Sequence, residues 1–558
     1  MSNKQSFNVC FCFQRKFRLW MAEPPEDIKN VFYLYAQNGT MTIDDLQKFL
    51  IEFQGESSAT KEDAQAIFDS LKHLNIFQRK ELDLGAFFRY LLGDLNPPLS
   101  SKVHHDMNSP LAHYFLFTGH NSYLKGNQLS SNSSVRPIIN ALRQGVRVIE
   151  LDLWQGSKKN DVVVRHGGTL TSPVDLIKCL RAIKENAFVA SEYPVVITFE
   201  DHLHSNLQAK VATMLTETFG DMLYSPDSEF LREFPSPASL KRRILISTKP
   251  PKYPESQKPG DQSGSTDHKQ ESEQDDEEDE DKDEENAIPE YKQLIAIHAG
   301  KPKRGLDKWH IDPNKVRRLS LNEQQLKNET RTRGSDIVRF TQRNLLRVSP
   351  KGTRLNSSNY NPMLAWTHGA QMVAFNMQGH GKYLWIMEGM FRANGGCGYV
   401  KKPEFLLASP NNEVFDPNAS LPVKKTLKVK VYMGDGWRLD FHRTHFDLCS
   451  PPDFYVRVGI AGVPSDKTKM METEPIQDQW VPVWNKEFTF PLRVPELAVL
   501  RVEVNEYDTP ARHDFGGQTC LPIRELRTGI RAVPLHSERG QKYTSVRLLM
   551  RFELTNEV

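Results

Sequence analysis

Cysteine is scarce in this chain. Six are spread over 558 residues, at positions 10, 12, 179, 397, 449 and 520, at no regular interval. So sparse a set excludes a disulfide-stapled scaffold and fits reduced thiols in a cytoplasmic protein. Cys10 and Cys12 sit beside phenylalanines and basic residues and could be acylated, but an exposed tail is the simpler reading. Long hydrophobic runs are missing too: no 18 apolar residues follow one another, so no spanning helix is expected. Phe7 to Phe13 is partly apolar, but Arg15, Lys16 and Arg18 follow without a small-residue cleavage site, so no signal peptide is expected. Ser2 removes the usual myristoyl acceptor. Net charge is small as well, +2 from 72 basic and 70 acidic residues. That average conceals a segregation. Residues 255–287 hold 15 acids against three lysines, which leaves +14 on the rest of the chain. A basic body suits an anionic surface or ligand. The acidic run cannot bury apolar area, so a solvated, disordered linker is expected, with a regulatory cover over the basic body as the alternative worth testing.

At this length several domains are expected. Residues 25–95 carry apolar residues at helical spacing (Ile28, Val31, Phe32, Tyr35; Leu46, Phe49, Leu50; Ile67, Phe68, Leu71; Leu84, Phe87, Phe88, Leu91), which predicts two helix–loop–helix units. The loops around Asn38-Gly39 and from His73 to Glu81 lack the alternating oxygen ligands and closing Glu of a calcium hand. A metal-free, hand-like support is therefore expected. After Asn96-Pro97-Pro98, apolar strands alternate with helical stretches such as 173–187 and 207–219, the pattern of a parallel α/β sheet. The pattern resumes near Tyr291 and runs to about Leu407, with strands expected at 372–376 and 383–387. From Thr426 onward the runs 427–432, 454–458, 487–490, 499–504 and 546–552 are short, alternating and separated by turns, which predicts an antiparallel β-sandwich.

Four apolar runs end in a histidine or an acid. They are Phe115 to His120-Asn121, Val146 to Glu150 and Asp152, Val162 to His166, and Val195 to Glu200. Polar groups at the carboxyl ends of successive buried strands are what a (β/α) barrel uses to build a site on its top face. Glu150 and Asp152 are two apart, so both face the same side of their strand. A hydroxyl that attacks a phosphodiester must lose a proton, the phosphate charge must be offset, and the leaving oxygen must gain a proton. Hard oxygens on a divalent cation and a pair of histidines can share that work. Each motif alone is weak: a lone His-Gly is more often a loop histidine, and Glu-x-Asp is often a surface pair. Their joint placement raises the odds.

With these residues in view, the chain resembles the eukaryotic phosphoinositide-specific phospholipases C. Gly119-His120-Asn121-Ser122-Tyr123, Glu150-Leu151-Asp152, His166-Gly167 and Phe199-Glu200-Asp201-His202 are similar to the family's X half-barrel. Ser357-Ser358-Asn359-Tyr360 and Asn394 to Val400 with Pro403 are similar to its Y half. The absence of a pleckstrin-type domain makes the chain most similar to the compact plant-type members. The resemblance implies a tail at 1–24, an EF-hand-like helical segment at 25–95, a split TIM-like barrel (X at 106–250, Y at 289–407) around a linker at 251–288, and a C2 antiparallel β-sandwich at 422–555.

It further implies that His120 stabilises the transition state and that His166 protonates the diacylglycerol oxygen. Asn121, Glu150, Asp152 and Glu200 would hold Ca2+, with Glu150 the base for the inositol 2-hydroxyl. Lys249, Ser320 and Arg347 match phosphate contacts of the family. Ser247 stands where a second lysine would be, and Ser349 where animal members carry an aromatic. In the sandwich, Asp453, Glu506, Asp508 and Asp514 match calcium loops, with Glu506 replacing a usual Asp. The expected protein is a monomer at the cytoplasmic side of the plasma membrane. It would cleave phosphatidylinositol 4,5-bisphosphate and related lipids to diacylglycerol and inositol trisphosphate, and bind no nucleic acid. A glycerophosphodiester phosphodiesterase on a similar barrel, or a silent lipid-binding scaffold, are the alternatives. Against them stand the split barrel with its sandwich and the retention of both histidines and the calcium ligands.

Overall fold

Alternation along the strands of the central sheet decides which side chains meet inside it. A computed structural model describes residues 4–10, 13–18, 22–71, 81–228, 230–249, 289–300, 307–408, 411, 413–442, 445–447, 449–509 and 512–557. The acidic run at 255–287, Cys12, the side chain of Cys10 and residues 72–80 of the second hand loop lie outside the described residues.

Eight parallel strands form the barrel wall, in the spatial order Arg318–Asn322, Leu345–Ser349, Met372–Phe375, Tyr114–Gly119, Val148–Gln155, Val195–Asp201, Ile244–Thr248 and Ile295–His298. A parallel bridge from Ala299 to Arg318 closes the ring. On the strand Val148–Gln155, Ile149, Leu151 and Leu153 pack outward in the main core, while Val148, Glu150 and Asp152 face the axis. The lower interior is filled by Leu116, Val148, Val196, Leu245, Leu345 and Met372. Polar inward residues are thereby concentrated towards the upper end, as expected for a filled barrel whose site sits at the carboxyl ends of its strands.

Two expectations need correcting. Val162–Val164 is not a barrel strand in sequence with the others. It pairs antiparallel with Leu153 to Gln155, so its chain returns from above and delivers His166 from a loop. A three-residue apolar run carries no information on direction. Residues 383–387 are helix, not strand: the helix Lys382–Met390 follows Gly381. It is buried on both flanks, between the barrel and the sandwich. Trp385 stacks on Phe515, and a Cβ on Gly389 would lie 2.3 Å from the Cβ of Cys520. A helix buried all round loses its polar stripe, and a short apolar run then reads as a strand.

The sandwich is an eight-stranded antiparallel sheet in the order Met471–Glu472, Phe454–Ala461, Val499–Thr509, Arg512–Pro522, Gly529–His536, Lys542–Asn556, Lys425–Asp435, Val483–Leu492. The N-terminal helices Glu26–Tyr35, Ile43–Glu52, Lys61–Leu71 and Leu84–Leu91 pack on this sandwich. Their loops meet through an antiparallel bridge between Met41 and Leu82. Tyr432, Met433, Ile530 and Leu549 of the sandwich complete the helical core. Gln54 pairs its amide with the backbone N–H (2.6 Å) and C=O (2.8 Å) of Ile530, and the buried Arg531 reaches Glu56 at 2.7 Å. Among the described residues no helix is long and apolar enough to cross a membrane.

Candidate active site

Asn121 starts the site. It follows the strand Tyr114–Gly119 with φ 43°, a left-handed conformation that asparagine tolerates better than most residues. Its backbone N–H donates to Glu150 Oε2 (3.1 Å), and its side-chain N–H donates to Gln128 Oε1 (3.1 Å). That leaves Asn121 Oδ1 buried without a partner. Asp152 Oδ1 is in the same condition, while Asp152 Oδ2 accepts the Tyr123 hydroxyl at 2.7 Å. One oxygen from each of Glu150, Asp152 and Glu200 lies within 4.8 Å of the others. Burial, then the charges of Glu200 and Glu150, raise the Asp152 carboxyl well above its usual range. Glu200, hydrogen-bonded to His202 Nε2 at 3.0 Å, is held below its own. Orphaned buried oxygens beside crowded carboxylates fit a hard divalent cation such as Ca2+.

The two histidines are fixed by acceptors. His166 Nδ1 lies 2.7 Å from the backbone carbonyl of Gln128. A carbonyl can only accept, so Nδ1 carries the proton and Nε2 is the exchanging nitrogen. His120 Nδ1 lies 2.9 Å from Asn376 Oδ1, which also accepts from Gln128 Nε2 at 3.1 Å. His120 Nε2 then faces Glu150 Oε2 at 3.9 Å. Burial lowers the His120 pKa, against the opposing pull of Glu150. Gly167 after His166 is required by close approach: a Cβ there would lie 2.2 Å from the ring of Trp154, which itself stacks on His202.

Arg347, on the strand Leu345–Ser349, puts Nη2 2.5 Å from Glu150 Oε1 in a nearly dry ion pair. Ser320 is exposed at the mouth and directly opposite Arg347 in register. Lys249 is exposed just past the strand Ile244–Thr248. Ser247 is fully buried and bonds the carbonyl of Ile297 at 3.1 Å.

Gln128 and Asn376 were missed as site residues by sequence reasoning, and Ser357 was read only as part of a family motif. Gln128 also donates to Ser357 Oγ at 2.8 Å, so it binds Asn121 and His166 of one half-barrel to Ser357 and Asn376 of the other. Asn376 ends an apolar run, and the rule that flagged His120 and Glu200 would have flagged it. Three exposed leucines ring the same loops. Leu170 N–H donates to Leu129 O, and Leu355 O accepts from Gln128 N–H, each at 2.8 Å.

In the sandwich, Glu506 is buried with both carboxylate oxygens unpartnered, directly across from Asp514 in strand register. Burial and the charges of Asp447, Asp508 and Asp514 push it up to about 7. Burial raises both Asp453, with the charges of Asp478 and Asp447 added, and Asp447, with those of Asp508, Asp478 and Asp514 added. Asp447 and Asp478 join the four acids predicted from sequence.

Family models for the X and Y domains of phosphatidylinositol-specific phospholipase C match residues 107–250 and 292–405, and a C2 domain model matches 425–540. Phosphoinositide phospholipase C 2 of Arabidopsis thaliana is 58% identical over 99% of this chain and 100% of its own length. The chain belongs to the phosphoinositide-specific phospholipase C family. Another relative is the 1-phosphatidylinositol 4,5-bisphosphate phosphodiesterase delta-3 of Mus musculus, 35% identical over 95% of this chain and 68% of its own. The crystal structure of L. pealei PLC21 superposes with a TM-score of 0.75 at 26% identity, covering 95% of this chain and 69% of that one. Fold, enzyme class and the plant-type resemblance thus agree with the expectations from sequence. The closed parallel barrel of this phospholipase C carries the acid and histidine cluster at its mouth.

Proposed function

We propose that this phospholipase C is calcium-dependent and cleaves phosphatidylinositol 4,5-bisphosphate and related phosphoinositides to diacylglycerol and inositol trisphosphate. It acts as a monomer, bound peripherally to the cytoplasmic side of the plasma membrane. Residues 106–250 and 289–407 are the halves of the catalytic barrel, 422–555 the C2 domain and 25–95 its helical support. The observation that carries the reading is the pair of unpartnered buried oxygens, Asn121 Oδ1 and Asp152 Oδ1, among three carboxylates and beside His120 Nε2.

Asn121, Glu150, Asp152 and Glu200 would hold the ion. When bound it would make the inositol 2-hydroxyl more acidic and offset phosphate charge. Glu150, steadied by Asn121 N–H and Arg347, accepts the hydroxyl proton. His120, with Nδ1 fixed on Asn376, presents Nε2 to the phosphate oxygens. As the 2-hydroxyl oxygen bonds to phosphorus and the bond from phosphorus to the diacylglycerol oxygen breaks, His166, with Nδ1 fixed on Gln128 O, delivers a proton from Nε2 to that leaving oxygen. Water then opens the cyclic phosphodiester to the inositol phosphate and returns a proton to His166. Lys249, Ser320 and Arg347 take the head-group phosphates. Leu129, Leu170 and Leu355 give the mouth an apolar rim suited to a lipid surface. Asp453, Glu506, Asp508 and Asp514, with Asp447 and Asp478, would hold further calcium, which would supply positive charge for lipid phosphate at that end of the C2 domain.

Release of labelled inositol phosphates from mixed micelles tests this. Calcium-dependent release from the bisphosphate is expected. Release from glycerophosphodiesters instead, or binding without turnover, would sink the reading.

A further inference from the structure

Arg318 is a buried cation that the reaction outlined above leaves unused. It opens the strand Arg318–Asn322, whose residues alternate: Leu319 and Leu321 belong to the outer core, while Arg318 and Ser320 face the barrel axis. The residue is 4% exposed. Among the described residues its one side-chain hydrogen bond is long, from Nη1 to Thr198 Oγ1 at 3.3 Å, and Nε has no partner. Among the described residues no carboxylate lies within ion-pair distance of it. Its nearest charged neighbours are Arg347, which repels it, and Glu150. Glu150 is already paired with Arg347 at 2.5 Å. A guanidinium buried beside another guanidinium, with a donor left unused, is costly unless an anion completes it.

The strand pairing shows where that anion would come from. Thr198, which Arg318 touches, is the register partner of Ser247 on one side and of Glu150 on the other. Ser247 is short, turns its hydroxyl back to Ile297, and offers no charge. Among the described residues, the cations facing this stretch of interior are Arg347, already held by Glu150, and Arg318, which arrives from across the ring on the strand that also carries Ser320. Burial and then Arg347 depress the pKa of Arg318 to about 9, against the pull of Glu150.

We propose that Arg318 contacts a phosphate monoester on the inositol ring and sets the preference of this site for phosphorylated over unphosphorylated inositol lipids. The inference rests on the lipase reading above. A site built around an unpaired buried donor discriminates strongly against a ligand that lacks the matching group.

The test uses the full chain and mixed micelles containing phosphatidylinositol, its 4-phosphate or its 4,5-bisphosphate. In Arg318→Met and Arg318→Gln, kcat/KM for the bisphosphate should fall at least about tenfold relative to that for phosphatidylinositol. Adding Ser247→Lys to either should recover part of the lost ratio, because it returns a cation to the same stretch of interior. Equal losses on all three lipids, or an unchanged ratio, would overturn the proposal. If neither variant folds, the cation is needed for folding and the proposal is likewise overturned. A wild-type chain that cleaves none of the lipids would refute the lipase reading instead.

Discussion

The molecule gathers acids in two places, at the barrel mouth and at one end of the C2 sandwich, and it treats them oppositely. At the mouth, a cation or a hydrogen-bond donor is built in for each acid. Arg347 meets Glu150, His202 meets Glu200, and the Tyr123 hydroxyl meets Asp152. The result is a division: Glu200 is held below its usual pKa while Asp152 is driven up. In the sandwich, no such cation meets Asp447, Asp453 or Glu506 among the described residues. Asp447, Asp453 and Glu506 are all raised, chiefly by burial and then by neighbouring acids. A cluster with its own counter-charges holds its geometry before a metal arrives. A cluster of acids alone gains most of its order from the ion. The first arrangement suits catalysis, where positions must be fixed, and the second suits a calcium-triggered contact with lipid.

The largest expected effect lies at the mouth. His120→Ala should cost about a thousandfold or more in kcat, with the melting temperature almost unchanged, since the imidazole makes one side-chain hydrogen bond and does not carry the core. Near-normal turnover in the micelle assay would remove His120 from the chemistry. Next comes Gln128→Leu, which keeps the volume but deletes the amide that binds Asn121, Ser357 and Asn376. We expect kcat to fall about 10- to 100-fold, and the calcium concentration for half-maximal activity to rise. If only thermal stability changes, the amide is a stitch between half-barrels and does not pre-order the site.

Substitutions in the sandwich should separate the two clusters. Asp453→Asn with Asp508→Asn should weaken calcium-dependent binding to anionic vesicles about tenfold or more, yet leave hydrolysis in detergent micelles within about twofold. Vesicle sedimentation with and without a chelator reads the first quantity, and inositol phosphate release the second. A matching loss in both assays would mean that the sandwich cluster supports the barrel and does not dock it.

The sequence displayed the mouth far better than it displayed the supports. Asn121, Glu150, Asp152 and Glu200 ended buried runs, and strand periodicity alone put Glu150 and Asp152 on one face. What it hid is tertiary. Gln128 lies in a loop without periodicity, and its role exists only because Ser357 and Asn376 arrive from residues more than 200 positions away. The antiparallel return of Val162–Val164 and the doubly buried helix Lys382–Met390 were misread because short apolar runs encode burial and not direction or hydrogen-bond pattern. Asp447 and Asp478 went unflagged because they sit in irregular segments, where no alternation marks which side chains converge.

The smallest expected effect is also the sharpest probe of the contrast between clusters. Glu506 has a folded-state pKa raised from 4.5 to about 7. The folded state then holds its proton more tightly than the unfolded one. Stability from this group is complete below about pH 4.5 and drains away as pH rises towards 7. Glu200 is lowered, so its contribution has the opposite sign, present above pH 4.5 and lost as pH falls. In calcium-free protein, raising the pH from 5 to 8 should therefore loosen the sandwich specifically. Glu506→Gln should abolish part of that loss, lifting the melting temperature at pH 8 by about 2–4 °C and changing it little at pH 5. Calcium should do the same for the wild type and less for the variant. A variant that melts lower than the wild type at pH 8 without calcium would mean that a cation of the protein already neutralises Glu506, and the distinction between the two clusters would fall.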